Sequence, residues 1–253
     1  MTGVQIDRVK SLFEEPQWYF NRRSFDIRIR TETVLELSTL SGEAQILDIG
    51  CGDGSISYPL LTEKTRLTLL DFSSSMLAAA KSNVPPAFSG NVDFVNRDFM
   101  DAMFVPQSFD LILCIGVLAH VVSPADFIAK MVSLLKPNGK IIVECTDSSH
   151  FMSGLVSPVE TMWALIRPSK HTYDLNAITY SGVVEMLGHH GLRPTATFRY
   201  GAPLPGTSRF LSQESLYKVM RSVFGTLAAN RNKWLGNEYI SLFTPLAFSS
   251  DGL

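Results

Sequence analysis

Residues Gln45-Ile46-Leu47-Asp48-Ile49-Gly50-Cys51-Gly52-Asp53-Gly54-Ser55 pass from an apolar run into three glycines at alternate positions. Ile46, Leu47 and Ile49 have the character of a strand buried on both faces, and such strands belong to parallel sheets covered by helices. Glycine at 50, 52 and 54 permits φ > 0 in a tight turn and, lacking a Cβ, lets a ligand lie against the backbone. The segment reads as the floor of a cofactor site.

Its spacing restricts the cofactor. A dinucleotide turn needs G-x-G-x-x-G, opening a helix whose N-terminus meets a pyrophosphate. Here the spacing is G-x-G-x-G, Ser55 stands at the third-glycine position, and Asp53 puts a carboxylate inside the loop. That carboxylate repels a pyrophosphate and suits a ligand carrying a sulfonium and an ammonium; Asp48 adds a second negative group on the same side. The run Asp48-Ile49-Gly50-Cys51-Gly52-Asp53-Gly54 resembles motif I of the class I S-adenosylmethionine-dependent methyltransferases. The resemblance implies S-adenosylmethionine as cofactor, with Asp48, Gly50, Cys51 and Gly52 in its site. The alternatives are a strand-to-helix turn with no ligand and a nicotinamide dehydrogenase, which shares the strand and turn but needs the missing glycine.

Composition sets the outer bounds. The 253 residues, 45% of them hydrophobic, suffice for one α/β domain with a full core. A net charge of −2 and a pI near 6.2 leave no basic field to hold nucleic acid. Cys51, Cys114 and Cys145 lie in or beside apolar runs, have no metal-ligand spacing and are odd in number. No metal is expected, and the setting reads as reducing and cytoplasmic. Asp7, Glu14 and Glu15 exclude a signal-peptide core near the start, and the apolar run Leu111 to Val122 is too short to span a bilayer.

Along the chain, Ile6, Val9 and Phe13 recur at helical spacing, Pro16 interrupts, and a second helix is expected over Ser24 to Leu40. After the glycine turn a helix is expected over Ser55 to Glu63 despite Pro59. Strand two, Leu67 to Leu70, ends at Asp71, where an acid can accept hydrogen bonds from both ribose hydroxyls. The alternative for Asp71 is a cap for the helix that follows. Val92 to Val95 is strand three and Phe109 to Gly116 strand four, whose end lies where ligands of open α/β sheets bind. Ser123 and Pro124 open a helix as N-cap and N1, ending at Lys136 to Gly139, and strand five is Lys140 to Glu144.

Five strands alternating with helices make a doubly wound, mostly parallel sheet. The resemblance extends this to a seven-stranded α/β sheet with helices on both faces, its last strand antiparallel. Leu192 to Tyr200 and Glu238 to Phe243 fit the last two strands, after a helix over Tyr180 to His189. One domain is expected: an N-terminal helical cap (1–40), a cofactor core (41–146), a substrate-lid insertion (147–178) and C-terminal strands (179–247). The last part holds a helical insertion (201–236) with Leu216, Val219, Met220, Val223, Phe224 and Leu227 on one face.

The resemblance also implies roles for single residues. Phe72, Ser73 and Met76 would border the ribose and adenine, Asp98 and Phe99 the adenine, and Ile115 would also belong to the cofactor site. Arg28 or Tyr19 of the cap would approach the methionine part, unless they serve packing and solvation. His120 after strand four is the candidate proton acceptor, or a packing residue of its loop. His150, His171 and Tyr173 in the lid are candidates for the substrate; His189 and His190 read as solvent-facing cations at a helix end. Seven basic residues against Glu214 between Arg193 and Lys233 suggest an anionic substrate, an anionic membrane or a solvated helix face.

The expected activity is methyl transfer to an oxygen or nitrogen of a small-molecule acceptor, a sugar or specialised metabolite. A C-methyltransferase and a non-catalytic cofactor-binding subunit are the alternatives, and nothing in the sequence sets an oligomeric state.

Overall fold

A computed structural model of the chain describes residues 16–153, 177–201 and 210–246. The strands are β1 (Ala44–Ile49), β2 (Thr65–Asp71), β3 (Val92–Asn96), β4 (Phe109–Cys114), β5 (Leu135–Thr146), β6 (Leu192–Tyr200) and β7 (Glu238–Pro245). They form one seven-stranded sheet in the order β3-β2-β1-β4-β5-β7-β6. Pairing is parallel from β3 to β5, and β7 runs antiparallel to both β5 and β6.

The helices are α1 (Pro16–Leu37), α2 (Ser74–Asn83), α3 (Pro124–Ser133), α4 (Tyr180–Gly188) and α5 (Gln213–Phe224). Side chains alternate across the pleat, so Ile46 and Leu47 face opposite layers. Ile46, Leu67, Leu111 and Ile142 meet Ile29 and Val34 of α1, Leu77 of α2 and Met220 and Phe224 of α5. On the other face Leu47, Leu70, Ile112 and Phe243 meet Phe127 and Met131 of α3 and Val183 and Leu187 of α4. The doubly wound sheet with helices on both faces is thus present, and β1 and β4 are neighbours that lead outward to opposite sides of it. Their carboxyl ends open the crevice that such sheets use for ligands.

Several local expectations give way. No helix follows the glycine turn; residues 58–60 form a single 3-10 turn, Tyr58–Leu60, with Pro59 inside it. Proline has no N–H to donate back to Ser55 O, and that carbonyl is instead approached by Thr31 Oγ1 at 3.5 Å. α1 begins at Pro16 rather than Ser24, because proline at the first turn leaves no intrahelical bond unmade. α3 stops at Ser133, and Leu135 already belongs to β5, whose register against β4 breaks between Phe109 and Leu111. On α5 Leu216, Met220 and Phe224 are buried, whereas Val219 is half exposed. His171 and Tyr173 lie outside the described residues.

Candidate functional site

The glycine turn has the backbone its sequence asks for. Gly50, Gly52 and Gly54 take φ of +70°, +55° and +79°. At Gly50 a Cβ would come 2.5 Å from Val117 Cγ2, whereas at Gly52 it would meet no protein atom within 4 Å. Gly50 therefore lets the loop after β4 approach, and Gly52 leaves open space above the turn.

Asp71 joins this turn to the end of β2. Its Oδ2 accepts from Gly52 N at 3.0 Å and its Oδ1 from Ser73 N at 2.8 Å. Burial pushes the Asp71 carboxyl up, and the two backbone N–H groups pull it back. The capping role falls to Ser73, whose hydroxyl accepts from Met76 N at the start of α2. Asn96 Nδ2 steadies the same corner from β3, donating to Asp71 O at 3.0 Å and Phe72 O at 3.1 Å.

Above these residues lies a cavity of about 930 Å3, near the top of the range for small-molecule sites. Gly50, Cys51, Gly52, Asp71, Phe72, Met76, Asp98, Phe99, Ile115 and His120 all line it. Asp48 does not; it is buried behind the turn, and its Oδ2 has no hydrogen-bond partner among the described residues. Burial raises its pKa to about 7, the Ser57 hydroxyl lowers it in part, and the Asp71 and Asp53 charges raise it further. His150 is also absent from the lining; its Nδ1 accepts from Met152 N and its ring packs on Phe151.

The lining is acidic. Asp53, Asp71, Asp98, Asp101 and Asp126 face the cavity with Arg30 and Arg97. Arg30 is already matched: its Nε donates to Glu144 Oε1 at 2.7 Å, and its Nη2 lies 3.4 Å from Asp26 Oδ2. Tyr200 Oη completes this cluster, 2.8 Å from Asp26 Oδ1 and 2.9 Å from Glu144 Oε1. Burial pushes the Glu144 carboxyl up against the opposing pull of Arg30. The donor set fits a cationic ligand and disfavours a phosphate.

Of the two cap residues expected at the cleft, the side chain of Tyr19 lies outside the described residues and Arg28 is placed elsewhere. Arg28 turns away from the cleft to Glu32 and Glu214 and lies 3.7 Å over the Tyr217 ring. Ile27 and Arg30 line the cavity in its place. The Asp26 and Arg30 pair at i,i+4 was the available sequence signal, together with a lone acid, Glu144, in the apolar run of β5. In the basic segment, Arg221 is committed to Glu32 and Tyr217, and Lys218 to Glu214. Those two cations serve the α1/α5 contact and the helix face.

Comparison with known proteins assigns the class. The model of the Methyltransferase domain family matches residues 40–197. The chain belongs to that family, and its sheet is that of the class I S-adenosylmethionine-dependent enzymes. It is similar to the mitochondrial ubiquinone biosynthesis O-methyltransferase of Schizosaccharomyces pombe, 28% identical over 148 residues, which are 57% of this chain and 53% of that protein. The ubiquinone biosynthesis O-methyltransferase of Saccharophagus degradans is 32% identical over 136 residues, 53% of this chain and 56% of that protein. The chain thus spans little more than half the length of these curated relatives. Among solved structures, a methyltransferase of Thermotoga maritima matches with a TM-score of 0.65 at 14% identity, over 95% of this chain and 99% of that one. Magnesium protoporphyrin IX methyltransferase of Synechocystis PCC 6803, with bound SAH, matches with a TM-score of 0.60 at 15% identity, over 96% and 95%. At these identities the two structures speak for the fold alone.

Proposed function

We propose that this chain is an S-adenosylmethionine-dependent O-methyltransferase acting on a small-molecule acceptor, a sugar or another specialised metabolite. The observation that carries the reading is the acidic cleft built on the glycine turn, with Asp71 fastened across Gly52. An oxygen acceptor is favoured because the curated relatives are O-methyltransferases by name. When bound, the cofactor supplies an activated methyl on a sulfonium, whose departure leaves a neutral thioether.

The chain's own residues then bind, orient and take up a proton. Gly50 and Gly52 receive the cofactor's body, Asp71 accepts from the ribose hydroxyls, and Phe72, Met76, Asp98 and Phe99 flank the nucleoside. Ile115 and the loop after β4 face the reacting end, where the imidazole of His120 accepts the acceptor's hydroxyl proton. Orientation of this kind is worth roughly 7 kcal/mol or more of barrier in favourable cases. The cytoplasmic setting rests on the three buried free thiols, Cys51, Cys114 and Cys145, as suits a reducing compartment. No helix among the described residues is long and apolar enough to cross a membrane.

The test is incubation with deuteromethyl S-adenosylmethionine and a metabolite extract, followed by mass spectrometry. A new labelled product identifies the acceptor. Cofactor binding without any labelled product would favour a non-catalytic subunit, and failure to bind the cofactor would remove the reading altogether.

A further inference from the structure

One side chain of α3 reaches to the outer wall of the cleft without lining it. Lys130 Nζ donates to three carbonyl oxygens, Phe99 O at 2.7 Å, Met100 O at 2.8 Å and Ala102 O at 2.7 Å. An ammonium has three protons and no acceptor, so these bonds use all of it. The carbonyls belong to a tight turn just after β3, in which Asp101 N and Ala102 N both return to Asp98 O, at 3.1 and 3.0 Å. In the same turn Asp98 Oδ1 accepts from Met100 N at 2.8 Å. The Phe99 ring packs against Phe127 of α3 with centroids 4.6 Å apart, and Lys130 Nζ lies 5.1 Å from its centroid.

Three carbonyl dipoles gathered at one point repel each other unless a cation meets them, and a partly buried carbonyl left without a donor is costly. Asp98, Phe99, Met100 and Asp101 present their cavity-facing atoms from this one turn. Its position is therefore set from behind by a point charge. A lysine suits this better than an arginine, because a compact ammonium can converge on three carbonyls whereas a planar fork cannot. Burial lowers the pKa of Lys130, and Asp101 and Asp98 oppose that lowering.

We propose that Lys130 is a positioning residue for cofactor recognition: by fastening the 99–102 turn to α3 it holds Asp98 and Phe99 where the nucleoside base must be read. The inference rests on the cleft being the S-adenosylmethionine site. It adds that base selectivity depends on a side chain that never touches the base.

The test is calorimetric titration of the wild-type protein, Lys130→Met, Lys130→Gln and Lys130→Arg with S-adenosylhomocysteine and its inosine analogue, in which a 6-oxo group replaces the amine. Thermal melting is followed in parallel. Wild type is expected to prefer the adenine ligand. Lys130→Met should weaken that ligand about tenfold, the loss that one or two charge-assisted hydrogen bonds would give, and should narrow the ratio between the two bases. Lys130→Gln, with two donors, should fall between, and Lys130→Arg should not restore the ratio. A Met or Gln variant that keeps the wild-type ratio, or one that loses affinity for both ligands equally with a lowered melting temperature, would overturn the inference while leaving the site in place. Wild type binding neither ligand would overturn both.

Discussion

Asp71 serves the fold with both carboxylate oxygens, and in the proposed function it serves the ligand as well. Both its oxygens already hold backbone N–H groups of the loops after β1 and β2, Gly52 N and Ser73 N, and each retains a lone pair for a hydroxyl. Asp71→Ala should weaken S-adenosylmethionine by about an order of magnitude, because two hydrogen bonds to a charged acceptor go; titration calorimetry reads the change. His120→Ala should lower turnover roughly 10^2- to 10^4-fold, the usual worth of a positioned proton acceptor, with cofactor affinity nearly intact in the same assay. Asp48 makes a pH prediction. Its carboxyl, buried and raised to about 7, holds its proton in the native state through a range where the unfolded chain has lost it. Stability is therefore highest below the unfolded value and declines as pH rises through 7, by up to about 1.4 kcal/mol per unit from this group. Asp48→Asn should flatten that slope in urea unfolding between pH 5 and 8. A cationic ligand favours the ionised form, so cofactor affinity should rise over the same interval.

At the scale of elements, α1 is held to the sheet by charge as well as by apolar packing. Arg30 joins Asp26 of its own helix to Glu144 of β5, and Tyr200 of β6 bridges the two acids. Removing the guanidinium strands two buried carboxylates, and the loss of one partner from such a cluster costs about 3–5 kcal/mol. Arg30→Met should lower unfolding free energy by that order in urea titration, and adding Glu144→Gln should recover part of it. The short turn after Gly54 carries a second lesson. Motif I in the sequence announced a helix, but Pro59 cannot donate its share of the ladder, and the chain turns at Tyr58–Leu60 instead. With no helix dipole aimed at the glycine loop, the local field comes from Asp53 and Asp71, which strengthens the case against a phosphate ligand.

Across the whole molecule, what the sequence makes plain is whatever repeats locally. The apolar runs Ile46 to Ile49 and Leu111 to Cys114 could only be central strands, and the glycine spacing with Asp71 at the end of the next strand marks the floor of the cleft. Ser123 before Pro124 marked a helix start correctly because an N-cap is a local event: Ser123 Oγ accepts from Asp126 N. What could not be read depends on contacts between distant segments. Glu144 lies 114 residues from Arg30 and 56 from Tyr200, and nothing near any of them in sequence names its partner. Arg28 was, beside Tyr19, a cap candidate for the cleft on type alone, yet two residues are more than half a helical turn, and that rotation gives Arg28 to α5. The loss of the helix after Gly54 was written at Pro59, but propensity did not say which of two local rules would win.

The Arg30 cluster also bears on traffic. A wall riveted from within by buried ions cannot swing outward without baring them, so the α1 side of the cleft is a fixed jamb. Val122, apolar yet largely exposed where it lines the same cavity, stands outside that ionic cluster.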